Sequence, residues 1–110
     1  MAQPHLQSGQ IGSVLPLGSA MRTTPSYALL KARQLEVMRL VLLAGKSMPE
    51  HQVTGEITVQ CLEGIIEFRA GADLRIMQAG DFLHLDGREL HSLTAREDAS
   101  LLLTICLSPI

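Results

Sequence analysis

Aromatic residues make up only 3% of the 110-residue chain, and tryptophan is absent. A core without large rings must be aliphatic, and the hydrophobic share of 46% supplies the Leu, Val, Ile and Met to build one. Charge is sparse as well: 18% of residues are charged, the net charge is −2, and no Lys/Arg run occurs. Nucleic acid and anionic membrane both call for clustered cations, so neither is expected as a partner. No apolar stretch approaches the roughly 20 residues of a spanning helix. The opening MAQPHLQSGQIGSV has no charged start and no apolar segment, so it does not read as a signal peptide, and a cytoplasmic location is expected. Cys61 and Cys106 each lie inside an apolar run, which reads as two buried thiols rather than a disulfide scaffold. There is no Ser-His-Asp order, no paired-carboxylate pattern, no phosphate-cradling glycine loop and no Cys-x-x-Cys.

What is present fits one domain. Residues 1–24 hold Pro4, Gly9, Gly12, Pro16 and Gly18 and read as an extended or mobile arm. Val14, Leu15 and Leu17 would let part of that arm dock as an edge strand, in its own chain or swapped into another. Residues 25–110 read as a barrel. From Tyr27 onward, short β-rich runs alternate with turns such as Ala44-Gly45, Glu63-Gly64, Gly71-Ala72, Gly80-Asp81 and Asp86-Gly87. Ile57, Val59 and Cys61 alternate with Thr58 and Gln60, the period of a strand with one buried face. Leu101 to Leu107 is apolar at nearly every position, so both its faces need cover, from the arm or from a second subunit. No helical stripe stands out, and an all-β fold with almost no helix is expected.

Two stretches carry a resemblance. Gly45-Lys-Ser-Met-Pro-Glu-His51-Gln-Val53-Thr-Gly-Glu56-Ile57, continuing to Gly64, is similar to the first cupin motif. Gly80-Asp81-Phe-Leu-His84-Leu-Asp86-Gly87-Arg-Glu-Leu-His91 resembles the second. The resemblance implies a small single-domain cupin of the RmlC-like superfamily, a double-stranded β-helix or jelly-roll barrel, often dimeric. It also implies a metal held inside one mouth by two His and a Glu of the first motif and a His of the second.

Residue by residue, the match to that ligand set is partial. His51 and His91 fall on the first and last His. Val53 stands where the second His belongs, and Ile57 where the Glu belongs. Glu56 is one place off, and one residue along a strand turns a side chain to the other face. Asp86 replaces the second motif's Pro. The expected pocket therefore comprises His51, His91, Val53, Ile57 and Arg39, with Arg39 either a cation at the mouth or a side chain reaching solvent. A metal, if bound, would take His51 and His91 with His84 or Glu56, and zinc, nickel, iron or manganese suits such donors. Gln60 is a weaker donor. His84 is read either as a third ligand or as a strand histidine hydrogen-bonded at an interface. Two functions follow: a homodimeric cupin binding a small organic molecule, or a metal-dependent cupin enzyme of oxygenase or isomerase type.

Overall fold

The computed structural model describes residues 4–107. Nine strands follow a short 3-10 helix at Gly18–Thr23: β1 Tyr27–Lys31, β2 Leu35–Leu42, β3 Ser47–His51, β4 Ile57–Glu63, β5 Ile65–Ala70, β6 Asp73–Gln78, β7 Phe82–Leu85, β8 His91–Ala95 and β9 Ala99–Cys106. They form a five-stranded sheet ordered β1-β2-β9-β4-β7 and a four-stranded sheet ordered β3-β8-β5-β6. Every pairing is antiparallel. Among the described residues the fold is all-β apart from the 3-10 turn, as the strand periodicity predicts.

The core lies between the sheets. Ile57, Val59 and Cys61 of β4 face inward, opposite Ile105, Leu103 and Leu101 of β9. Ile66 and Phe68 of β5 and Leu93 and Ala95 of β8 close on them from the other sheet. Two of the motif glycines, Gly64 and Gly87, stand where chain segments touch. Gly64 has φ +84°, and a Cβ there would run into the Asp98 carbonyl and Ala99. Gly87 admits the Thr54 carbonyl, and the neighbouring Arg88 amide donates to Val53 O at 2.7 Å. That bond seals the turns after β3 and β7 together at one end of the barrel. The chain leaves β3 at His51, enters β4 at Ile57, leaves β7 at Leu85 and enters β8 at His91, so all four residues lie at that end.

Strand β9 sits at the middle of the five-stranded sheet. Its inner face is core, and its outer face is covered at one end, where Ser100 is fully buried. The segment ahead of β1 supplies that cover without forming a strand. Leu6 N–H bonds Leu29 O, and the stretch around Leu15 to Gly18 bonds Arg39 and Glu63.

Candidate functional site

His51 and His91 pair in register across β3 and β8, beside an irregularity between Met48 and His51. Their ring centroids are 4.3 Å apart, tilted by 58°. Each ring is pinned the same way: Nδ1–H of His51 donates to Pro49 O at 2.9 Å, and Nδ1–H of His91 to Glu89 O at 2.9 Å. A carbonyl can only accept, so the proton sits on Nδ1 and the neutral ring keeps its lone pair on Nε2. Phe68 stacks on His91 at 5.7 Å with planes 7° apart. Leu40, Met48, Val59, Phe68, Leu93 and Leu103 complete the walls, and the space left measures about 10 Å3. That is room for about one water molecule.

The other expected pocket residues lie elsewhere. Ile57 points into the core at the same end, 3% exposed, and Val53 packs against the core from the turn beyond β3. Neither lines the space between the imidazoles. Arg39 is on the outer face of β2, because Leu40 takes the inward position. It neither reaches the mouth nor snorkels to water: at 1% exposure it lies under the N-terminal segment.

The four residues expected to share a metal fall into two places. His51 and His91 are inside the mouth. His84 is on the outer face of β7, opposite Thr58, and its Nε2 lies 2.7 Å from Glu56 Oε1. Asp86 joins them, the ligand atoms of all three lying within 4.8 Å of one another in an exposed cluster. Asp86 stood out in the sequence only as the replacement for the motif proline. His84 faces outward because Leu83 and Leu85 take the inward positions against Val59 and Ile57. The mouth thus offers two nitrogen donors, short of the three protein ligands of a tight transition-metal site, and no step through a metal follows from it.

Glu63 and Ser100 are functional-looking residues that no motif announces. The Glu63 carboxylate accepts from Leu17 N–H at 2.9 Å, Gly18 N–H at 3.0 Å, Ser100 Oγ at 2.5 Å and Arg39 Nη2 at 3.1 Å. Burial by itself raises this carboxyl, but the Leu17, Ser100 and Gly18 hydrogen bonds and the Arg39 charge together outweigh it. The group is held below the usual carboxylate value. The clue in the sequence was Arg39 on a strand face otherwise made of Leu35, Val37 and Val41, since a buried guanidinium requires an acid. Cys61 is the opposite case. Burial pushes its thiol up, the Asp81 and Glu63 charges add to this, and a hydrogen bond to Glu63 O only partly offsets it. The protonated thiol is therefore favoured over the thiolate.

No family model matches the chain, and no curated protein matches it by sequence. Solved structures do match. A cupin superfamily protein from Desulfitobacterium hafniense DCB-2 superposes at TM-score 0.78 and 16% identity, over 98% of this chain and 99% of that one. An RmlC-like cupin from Shewanella frigidimarina gives 0.73 at 14% identity, over 97% and 94%. A salicylate 1,2-dioxygenase variant from Pseudoaminobacter salicylatoxidans gives 0.63 at 19% identity, over 66% of this chain and 21% of that one. With its two antiparallel sheets closed over a largely aliphatic core, the chain has the cupin jelly-roll fold.

Proposed function

We propose that this protein binds a small organic molecule at the barrel mouth, with His51 and His91 as its polar handles. The observation that carries the reading is the pair of imidazoles, each pinned through Nδ1 so that Nε2 is left for a guest, set among six apolar side chains. Such a site suits a largely apolar ligand with one hydrogen-bonding group. The space of about 10 Å3 admits it only when a wall side chain moves. Met48 is the adaptable one, unbranched and beside the irregularity in β3. Small alcohols and carboxylic acids screened by NMR should shift the His51 and His91 ring signals and the Met48 methyl, and His91→Ala should abolish the effect. Ring signals that ignore every compound, or shifts that persist in His91→Ala, would refute the reading.

A metal-dependent enzyme of oxygenase or isomerase type is the second reading. The pinned imidazoles favour it, since a carbonyl partner on Nδ1 is how a metal-ligating histidine is oriented. The same-fold dioxygenase is an enzyme. Metal analysis of untagged protein discriminates: bound zinc, nickel, iron or manganese that disappears in His91→Ala supports it. Metal lost only in His84→Ala places the ion on the outer cluster, and metal-free protein leaves the first reading.

We also infer a homodimer through the outer face of the five-stranded sheet. Leu35 and Phe82 are 39% and 65% exposed there, and Leu15 of the overlying segment is 75% exposed. Light scattering at micromolar concentration should give twice the chain mass, and a purely monomeric solution would end this inference. A cytoplasmic location fits the buried, reduced thiol of Cys61. Among the described residues no helix is long and apolar enough to cross a membrane.

A further inference from the structure

The segment ahead of β1 is fastened to the barrel at very few points. Leu6 N–H donates to Leu29 O at 2.7 Å. The other fastenings converge on one ion pair: Arg39 Nη2 donates to Leu15 O at 2.7 Å, and the Leu17 and Gly18 amides donate to the two Glu63 oxygens. Apolar burial is partial: Leu6 and Leu17 are half-buried, whereas Ile11 is 96% exposed and Leu15 75%. Met21, in the following 3-10 turn, is the first buried side chain of the described N-terminal stretch. Apart from the Leu6 bond, the polar attachment up to Gly18 rests on one carboxylate and its cation.

We propose that residues 4–18 form a strap latched by Glu63 over Arg39, and that this strap opens separately from the barrel when the carboxylate loses its charge. An amide donating to a carboxylate makes a charge-assisted bond about twice as strong as a neutral one. Neutralising Glu63 weakens both strap bonds at once, together with the pull of Arg39. Closing the strap also has a standing cost. Arg39 is buried with its Nε lacking any partner, a deficit that water removes on opening.

The charged surroundings of the latch are simple. From β2 it meets Arg39, from β9 the Ser100 hydroxyl, and from the strap only backbone amides. On its own strand the titratable neighbour is the neutral Cys61 thiol. The next pair along the chain, Arg22 of the 3-10 turn with Asp98 at 3.9 Å, is itself compensated. Because the Glu63 carboxyl is held low, the latch is full above the ordinary carboxylate range and is lost as pH falls through the lowered value.

Amide hydrogen exchange tests this, read as protection factors so that the intrinsic pH dependence cancels. In Glu63→Gln at pH 7, protection at Leu17 and Gly18 should fall by about tenfold or more. Val59 and Leu101, in the barrel core, should keep theirs. The wild-type chain should show the same split as the pH is lowered, which keeps the test open if the variant does not fold. Unchanged protection at Leu17 and Gly18 in the folded variant or in acid would overturn the latch. Loss at Leu17 and Val59 together would overturn separate opening.

Discussion

Replacing Arg39 with leucine is expected to lower the unfolding free energy by about 3–5 kcal/mol, the cost of stranding a buried charge. Arg39 is 1% exposed, and its partner carboxylate on Glu63 lies 3.1 Å away with a side chain 12% exposed. Leucine leaves that carboxylate in place with amide and hydroxyl donors but no cation. The surface pair Lys31–Glu36 supplies the contrast. It is separated by 3.9 Å, and the lysine side chain is 59% exposed, so Lys31→Met should cost only about 0–1 kcal/mol. Urea unfolding of both variants at neutral pH gives the comparison. The sign of the pH dependence follows from the lowered Glu63 carboxyl. Its contribution is fully present above the unfolded value and disappears as pH falls through the folded one. The gap between wild type and Arg39→Leu should therefore narrow in acid. A loss under about 1 kcal/mol at pH 7 would mean the ion pair is not what holds this corner.

The strand pattern was legible because it is local. The alternation of Ile57, Val59 and Cys61 with Thr58 and Gln60 is the pleat itself, and Gly64 and Gly87 mark contacts where a Cβ has no room. The pairing of His51 with His91 was legible through the two motif stretches, and the structure sets the rings 4.3 Å apart. The face of His84 was not, since Phe82-Leu83-His84-Leu85 offers one apolar set on each side. Registry with β4 decides it: Leu83 meets Val59, Leu85 meets Ile57, and Phe82 is left outside at 65% exposure. The place of Arg39 was hidden for a related reason. Its face carries Leu35, Val37 and Val41, as apolar as a core face. It is the outer one, and what covers Arg39 comes from Leu15, 24 residues away, and Ser100, 61 residues away. Local periodicity gives a strand's two faces but not which of them is covered, or by what.

Introducing histidine at Val53 together with glutamate at Ile57 is expected to tighten divalent-metal binding by more than about a hundredfold. Even an outer-shell partner of a metal ligand is worth roughly 10–100-fold in affinity, and this pair of changes adds two direct ligands. The wild-type mouth offers only the two pinned imidazoles, whereas four donors complete a closed zinc site. Val53 is two residues past His51, and Ile57 opens β4 at the end where His91 opens β8; neither lines the space between the imidazoles as valine or isoleucine, and the longer polar side chains are expected to reach it. Ile57 faces inward at 3% exposure, so glutamate there meets a dry environment that disfavours its charge. Without metal, the double variant should be less stable than wild type. With zinc, the ion neutralises the carboxylate and that loss should be recovered, because metal binding and folding are coupled. Thermal unfolding with and without zinc reads both effects, and adding His91→Ala should cancel the recovery. A folded double variant that takes up zinc no better than wild type would show that Val53 and Ile57 do not converge with the two imidazoles.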